Sequence, residues 1–229
     1  MTDFEQKMMK MQVMDRGGEN VTNQQSMVPD YDDGFCMIRS LTREDLQNKE
    51  MMSDLAHLSK TAFMDNKPCC CCLYQGFDET LSTYTFGLGE ACDVKLENFG
   101  CVFVNSRLAG YVQLGYHDTV GNVVVLRDCS WLQEIPPRDT CHLEEICVSS
   151  TYRGKGLGKK LMRWADDKAR NRGCTKIKLE VISRNTRAKA LYEKVGYETQ
   201  DTCCEQVICC PLLCCLMRFP YAYTMIKPL

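Results

Sequence analysis

Hydrophobic positions recur along this chain with two different periods, and their order predicts an architecture. Residues 1 to about 33 show neither period; they are polar, carry repeated Met and Gln, and predict a disordered tail. Short apolar runs predict strands at 35–39, 99–104 and 108–116, the last two joined by a hairpin turn at Asn105, Ser106 and Arg107. Thr42 is a good N-cap for a helix over 43–58, with Glu44 and Asp45 in its first turn. A short helix is expected at about 78–87. Residues 117–140 read as a longer connection with a short strand at 123–126, closed by Pro136-Pro137. Leu161, Trp164, Ala165 and Ala169 fall at helical spacing, which predicts a helix from Gly156 to Arg172 stopped by Gly173. A second stripe, Ala188, Leu191, Tyr192 and Val195, predicts a helix from Asn185 stopped by Gly196. Further strands are expected at 142–149 and 177–182, from Tyr197 onward, and at 221–227. Strands and helices alternate, so the expected class is α/β: one domain over 34–229, a mixed sheet with helices on both faces.

Between the strand at 142–149 and the helix from Gly156 stands Arg153-Gly154-Lys155-Gly156-Leu157-Gly158. A tight glycine turn leaves the N–H groups of a helix N-terminus bare, and with the positive end of the helix dipole they make an anion site. Lys155, Lys159, Lys160 and Arg153 add positive charge around it. The turn lacks the third spacing of Gly-x-Gly-x-x-Gly, and Gly158-Lys159-Lys160 lacks the hydroxyl of the Walker pattern. It does contain Arg-x-x-Gly-x-Gly, as Arg153, Gly156 and Gly158. Downstream, after the strand at 177–182, comes Asn185-Thr-Arg-Ala-Lys-Ala-Leu-Tyr192-Glu-Lys-Val-Gly196-Tyr197-Glu198.

These two blocks, in this order and at this separation, resemble the GCN5-related N-acetyltransferase (GNAT) superfamily. The strong resemblance covers about residues 142–198 and a weaker one extends to both sides. It implies the GNAT fold, a central mixed twisted sheet of six to seven strands flanked by about four helices. It also implies acetyl-CoA as co-substrate, and an acyl-CoA-dependent N-acetyltransferase acting by direct attack of a primary amine in a ternary complex. In the family the strand before the turn splays from its neighbour to admit the pantetheine arm. The expected cofactor-binding residues are Ile146, Cys147 and Val148 on that strand, Arg153, Gly154, Lys155, Gly156, Leu157, Gly158 and Lys159 at the turn, and Asn185 at the later helix start.

Acyl transfer to an amine makes separate demands. An alkyl amine with a reference pKa of about 10.4 must lose a proton, and the departing thiolate needs a donor. The oxyanion also needs a donor, for which strand N–H groups near Val148 are candidates. Strict alternation would put His142, Glu144, Ile146 and Val148 on one face and Leu143, Glu145 and Cys147 on the other. Three ionisable groups in a central strand imply a wet cleft on at least one side. His142 and Glu144 are the candidate base and partner, in either order, and they match positions where family members place catalytic residues. Tyr192 matches the family tyrosine that faces the CoA sulfur and is the candidate acid. The same residues also suit a bland reading, in which the glutamates line a solvated groove and Tyr192 packs in the core.

Composition narrows the remaining classes. The balance of 28 Lys and Arg to 30 Asp and Glu argues against a general nucleic-acid binder. No run of about 18 apolar residues exists to span a membrane, and the first residues lack a signal-peptide core. A reducing, cytoplasmic setting is expected. The 17 cysteines then read as thiols rather than a disulfide framework, and Asn20-Val21-Thr22 as a chance sequon. The clusters at 69–72 and within 203–217 admit three readings. A metal site lacks zinc spacing in the later pairs, so no metal is expected. Lipidation of the apolar 203–217 insert would tether the chain to a membrane surface. Cysteine acting as a small apolar residue is the third and the expected one. For the acceptor, a small-molecule primary amine is expected, with a protein lysine or N-terminus as the alternative. The segment 63–68 resembles Phe-x-x-Asp-Glu-Pro of arylalkylamine-type enzymes, but Asn66 and Lys67 replace its acids. A non-catalytic acyl-CoA-binding module is the rival from another class.

Overall fold

A computed structural model describes residues 31–32, 35–65, 96–118, 135–203 and 222–229. Among them, eight strands form one mixed sheet: β1 (Tyr31–Asp32), β2 (Met37–Ser40), β3 (Phe99–Val104), β4 (Arg107–Gly115), β5 (Thr140–Val148), β6 (Lys176–Ile182), β7 (Glu198–Cys203) and β8 (Ala222–Pro228). Three α-helices accompany them: α1 (Lys49–Asp65), α2 (Leu157–Asn171) and α3 (Thr186–Lys194). The sheet order is β1-β2-β3-β4-β5-β6-β8-β7. Every pairing is antiparallel except β5 with β6. The expected helix at 78–87, the strand at 123–126, both cysteine clusters apart from the backbone of Cys203, and most of the expected tail lie outside the described residues. Tyr31 and Asp32 pair with Ile38 and Met37, so the chain joins the sheet inside the stretch expected to be tail.

Two apolar cores flank the sheet. Leu157, Leu161, Met162, Trp164, Ala165 and Ala169 of α2, with Tyr192 of α3, pack on one face against Val102, Val112, Leu114, Leu143, Ile177 and Leu179. Met51, Met52, Leu55 and Leu58 of α1 pack on the other against Phe99, Cys101, Tyr111 and Cys147. Each fully buried aliphatic side chain of this size contributes about 1.5–3 kcal/mol. Cys36, Cys101, Cys141, Cys147 and Cys174 are buried free thiols within these cores. Among the described residues, no helix is long and apolar enough to cross a membrane.

Local chemistry explains the element boundaries. Asn105 and Ser106 take positive φ at the β3–β4 hairpin, the conformation a tight two-residue turn needs. The first helix departs from expectation. Arg39 grips Asp45 through two bonds of 2.6 and 2.7 Å, and the Asp45 carboxylate also accepts from the N–H and hydroxyl of Thr42. That knot closes a single 3-10 turn, Asp45–Gln47, and residue 48 is extended. The α-helix starts only after Asn48, whose Oδ1 accepts from Met51 N at 3.1 Å and serves as its N-cap. Thr42 therefore caps a turn and not the helix. α2 begins after Gly156 at φ 82° with no side-chain cap, and Gly173 at φ 77° ends it.

The face of β3 toward α2 is flat because Gly100 has no side chain. A Cβ there would lie 2.6 Å from the Trp164 ring. Gly100→Ala is expected to cost about 1–3 kcal/mol through overpacking, read as a lower midpoint of urea unfolding. Adding Trp164→Leu should return part of the loss; an unchanged midpoint in the single variant would show that the ring gives way freely.

Candidate active site

The site is a gap in the sheet. β5 and β6 pair at Thr140–Lys176, Cys141–Ile177 and His142–Lys178, and no further. Beyond that point β6 pairs with β8 alone, through Ile182–Ala222, while β5 continues against β4 through Val148–Gly110. Ser149 N donates to Ala109 O at 2.9 Å. By strand alternation, the amide groups of Cys147 also turn to β4, and those of Ile146 and Val148 turn to the open edge. Ile146 and Val148 therefore stand where the backbone rail was expected. Cys147 does not: its backbone belongs to the β4 ladder and its thiol faces Leu58 O at 3.5 Å.

The glycine turn closes the end of this gap. A 3-10 turn, Ser150–Tyr152, leads from β5 to Gly154 at φ 80° and Gly156 at φ 82°, and α2 starts from there. The first intrahelical bond is Lys160 N to Gly156 O at 3.2 Å, so the N–H groups of Leu157, Gly158 and Lys159 precede the ladder. The first turn contains no acid to occupy them. A Cβ added to Gly154 or Gly156 would meet nothing within 4 Å, so open space adjoins the backbone there. Lys155 lies over the Tyr152 ring at 5.2 Å, and Lys159 is exposed. Arg153 turns back, donating from Nε to Val148 O at 3.1 Å, and so ties the turn to the strand end. Asn185 Oδ1 accepts from Ala188 N at 3.2 Å and caps α3.

A β-bulge changes the ionisable side of the site. The β4–β5 register passes from Gln113–Glu145 to Leu114–Leu143, which leaves Glu144 as an extra residue on β5. Strict alternation fails there. Cys141 and Leu143 share the α2 face with Ile146 and Val148. Glu144 and Glu145 both turn to the α1 face. Glu144 accepts from Gln113 Nε2 at 2.7 Å and lies over Gly115, where a Cβ would collide with its carboxylate. Glu145 sits under α1, where its Oε1 accepts from the Tyr111 hydroxyl and from Ser59 Oγ at 3.4 Å. His142 pairs not with Glu144 but with Glu180 on β6, Nε2 to Oε2 at 2.6 Å, and Lys178 flanks the same carboxylate at 3.3 Å. Glu180 was not expected from the sequence. The pattern Ile177-Lys-Leu-Glu-Val points to it, because 178 and 180 alternate with the buried 177, 179 and 181.

Burial and partners set the charges. Burial alone would lower the His142 pKa, but the hydrogen bond and charge of Glu180 outweigh it and raise it, which favours the imidazolium form. Burial opposes ionisation of Glu180, and the His142 bond outweighs that too, leaving its pKa lowered. Burial raises the Glu144 pKa, against the pull of His142 and Gln113. Glu145 is pushed up to about 7 by burial, with the hydroxyls of Tyr111 and Ser59 opposing. Tyr192 is buried beside Tyr197, ring centroids 6.0 Å apart, and burial raises its pKa, so the hydroxyl stays protonated. A Cβ on Gly158 would lie 3.0 Å from Leu191 Cδ2, so α3 packs on the first turn of α2 and brings Tyr192 to the side of the glycine turn. Tyr192 thus belongs to the core on the α2 face, and the glutamates lie on the opposite, α1 face of the sheet.

Comparison with known proteins agrees with this geometry. The family model described as "Acetyltransferase (GNAT) family" matches residues 52–197. An uncharacterized N-acetyltransferase of Methanocaldococcus jannaschii is 32% identical over 74 residues, 32% of this chain and 33% of that protein. The streptothricin acetyltransferase of Streptomyces lavendulae is 32% identical over 108 residues, 47% of this chain and 48% of that protein. The matches thus span only a third to a half of these relatives' lengths. Among solved structures, a chain of the NatC complex bound to Gag peptide and CoA superposes with a TM-score of 0.54 at 19% identity, covering 85% of this chain and 99% of that one, which is a likeness of fold.

The His142–Glu180 pair carries a defined pH signature. The His142 pKa lies above its unfolded value, so its share of stability is complete below 6.5 and is lost as pH rises through the folded value. The Glu180 share is present above 4.5 and is lost as pH falls through its lowered value. Glu180→Gln is expected to move the His142 midpoint, followed by NMR of the imidazole, to lower pH. An unmoved midpoint would mean that the pair does not form in solution.

Proposed function

The chain belongs to the GNAT acetyltransferase family, and on that premise we propose that it moves an acetyl group from acetyl-CoA to a primary amine, that of a small molecule, by direct attack within a ternary complex. One observation carries this reading: the open edge of β5 leads from the ionisable cluster to the uncapped N-terminus of α2. The residues fit the co-substrate. The bare amides of Leu157, Gly158 and Lys159, with the positive end of the α2 dipole, suit a pyrophosphate. Gly154 and Gly156 let backbone approach it closely. Ile146 and Val148 would hold the pantetheine amides as a neighbouring strand would, with the remaining donors of Asn185 near its path. When bound, acetyl-CoA supplies the activated acetyl group as a thioester.

The chain's own groups then divide the proton work. The N–H groups of Ile146 and Val148 face the gap, and the one that the pantetheine amides leave free would donate to the acetyl oxygen as negative charge develops on it. Glu144 takes the ammonium proton. Glu180 favours the charged form of His142, which weakens it as a base; its role is to favour the ionised form of Glu144 and to fix the start of the gap. Tyr192, protonated and on the opposite face, gives a proton to the departing sulfur. Three carboxyls near the acceptor side favour a cationic amine. A small-molecule acceptor is supported by the similarity to a relative named for streptothricin; the chain's setting is read as cytoplasmic.

Thiol release from acetyl-CoA across an amine panel and a peptide panel tests the reading. Release with small amines supports it. Release with peptides alone would reassign the acceptor to a protein, and CoA binding without release to any acceptor would leave a binding module. Tyr192→Phe should lower kcat roughly a hundredfold with CoA affinity within about twofold; equal turnover would remove Tyr192 from the mechanism. Glu144→Gln should lower kcat by roughly 10²–10⁴-fold, and retention of the wild-type pH–rate curve would pass the base role elsewhere.

A further inference from the structure

The mechanism so far makes no use of Glu145, a buried carboxyl beside the base. Glu145 is 9% exposed, beneath a helix and beside the base. Its carboxylate is held by two hydroxyls that are themselves buried, Tyr111 of β4 and Ser59 of α1. Tyr111 is in turn fixed by stacking on Phe99, centroids 5.0 Å apart. A surface glutamate needs no such cradle. The bulge then places Glu144, gripped by Gln113, next to it on the same face.

We propose that Glu145 is a positioning residue that acts through Glu144: the bulge at Glu144 turns two adjacent carboxyls onto the α1 face, and they take up the amine proton as a coupled pair. This rests on the reading of Glu144 as the base. A lone, partly solvated carboxylate is a weak base toward an ammonium group. Two carboxylates on one face repel, and the repulsion raises the affinity of the doubly ionised pair for its first proton. The proton balance is simple. One N–H bond of the ammonium breaks, its electron pair stays on nitrogen for the attack, and the proton enters through Glu144 and is then held by the pair, with Glu145 as its stronger holder. The pair passes from two negative charges to one. Burial is the main cause that pushes Glu145 up to about 7, and the Glu144 charge adds the smallest share. A base with an affinity near neutral pH is the strength general-base transfer favours.

Among the described residues, the groups facing the pair from the surrounding elements are these. β4 presents the Tyr111 hydroxyl and the Gln113 amide. α1 presents Ser59. β3 presents the Cys101 thiol, partner of Tyr111 in register, whose ionisation burial opposes. β5 adds the His142 cation and the Cys147 thiol, and β6 adds Glu180 with Lys178. The His142–Glu180–Lys178 cluster carries two positive charges and one negative. It draws Glu144 toward ionisation first, which leaves Glu145 as the member that keeps its proton longer.

Carbon-13 NMR titration of the glutamate carboxyls in the full chain tests the coupling without any acetyl transfer. Wild type should show two steps for the pair, the upper one near pH 7. In Glu144→Gln the Glu145 midpoint should fall, because the neighbouring charge is gone; an unmoved midpoint overturns the proposal. Should Glu144→Gln not fold, Glu145→Gln reads the same coupling: the inflection near pH 7 in the Glu144 signal should vanish, and its persistence would be equally fatal. In kinetics with an amine that releases thiol, Glu145→Gln should move the acid limb of kcat/KM to lower pH and reduce kcat, whereas a purely structural Glu145 would leave the limb in place. Loss of coupling with transfer intact would sink the pair alone; coupling without CoA binding would sink the enzyme reading instead.

Discussion

Beyond His142, β5 has a hydrogen-bonded neighbouring strand on one side only among the described residues, and the elements around it are arranged about that edge. An unpaired backbone group in a protein interior costs about 1–3 kcal/mol, so a central strand does not leave its ladder without support elsewhere. Here the support is the rigidity of the two half-sheets. β5 is clamped to β4 from His142 to Val148, and Gly110, lacking a Cβ, admits the Cys147 carbonyl at close range. β6 is clamped to β8 along its whole length. The two halves meet at three register pairs and diverge from them. α2 lies across the junction, its Trp164 seated on Gly100 and its buried row touching both halves, so the opening is fixed and not left to chance.

That opening also separates charge. Donors gather at one end, where α2 begins without a cap and lysines surround it. Acceptors gather at the other, where β5 and β6 bring Glu144, Glu145 and Glu180 together on the α1 face. A ligand lying along β5 would have its anionic end at the helix and its reactive end among the carboxyls, and Tyr192 lies on the opposite face of the sheet.

Much of this could be read from residue order. The two helical stripes that became α2 and α3, the stop glycines at 173 and 196, the Asn185 cap and the turn at 153–158 are local features, written in contiguous residues. What escaped was set by partners distant in the chain. Period two placed Glu144 and Glu145 on opposite faces, but the extra residue that joins them is defined only by the register against Gln113 and Leu114. Thr42 had the chemistry of a helix cap, yet Arg39 recruited Asp45 and moved the helix start to Asn48. His142 seemed paired with its neighbour two residues on; the parallel contact with β6 gave it Glu180 instead. Cys147 looked like part of the rail until alternation from Ser149 turned its amide to β4. In each case local propensity was sound, and a tertiary contact chose among the options it left.

The central claim is that the β5 edge and the α2 N-terminus together hold CoA. Calorimetric titration of CoA into the full chain measures this most directly. Saturable binding that weakens with added salt and is lost on bulking the turn by Gly156→Val, with the fold retained by circular dichroism, is the result expected. Absence of any heat or uptake with millimolar CoA in a folded sample would contradict it.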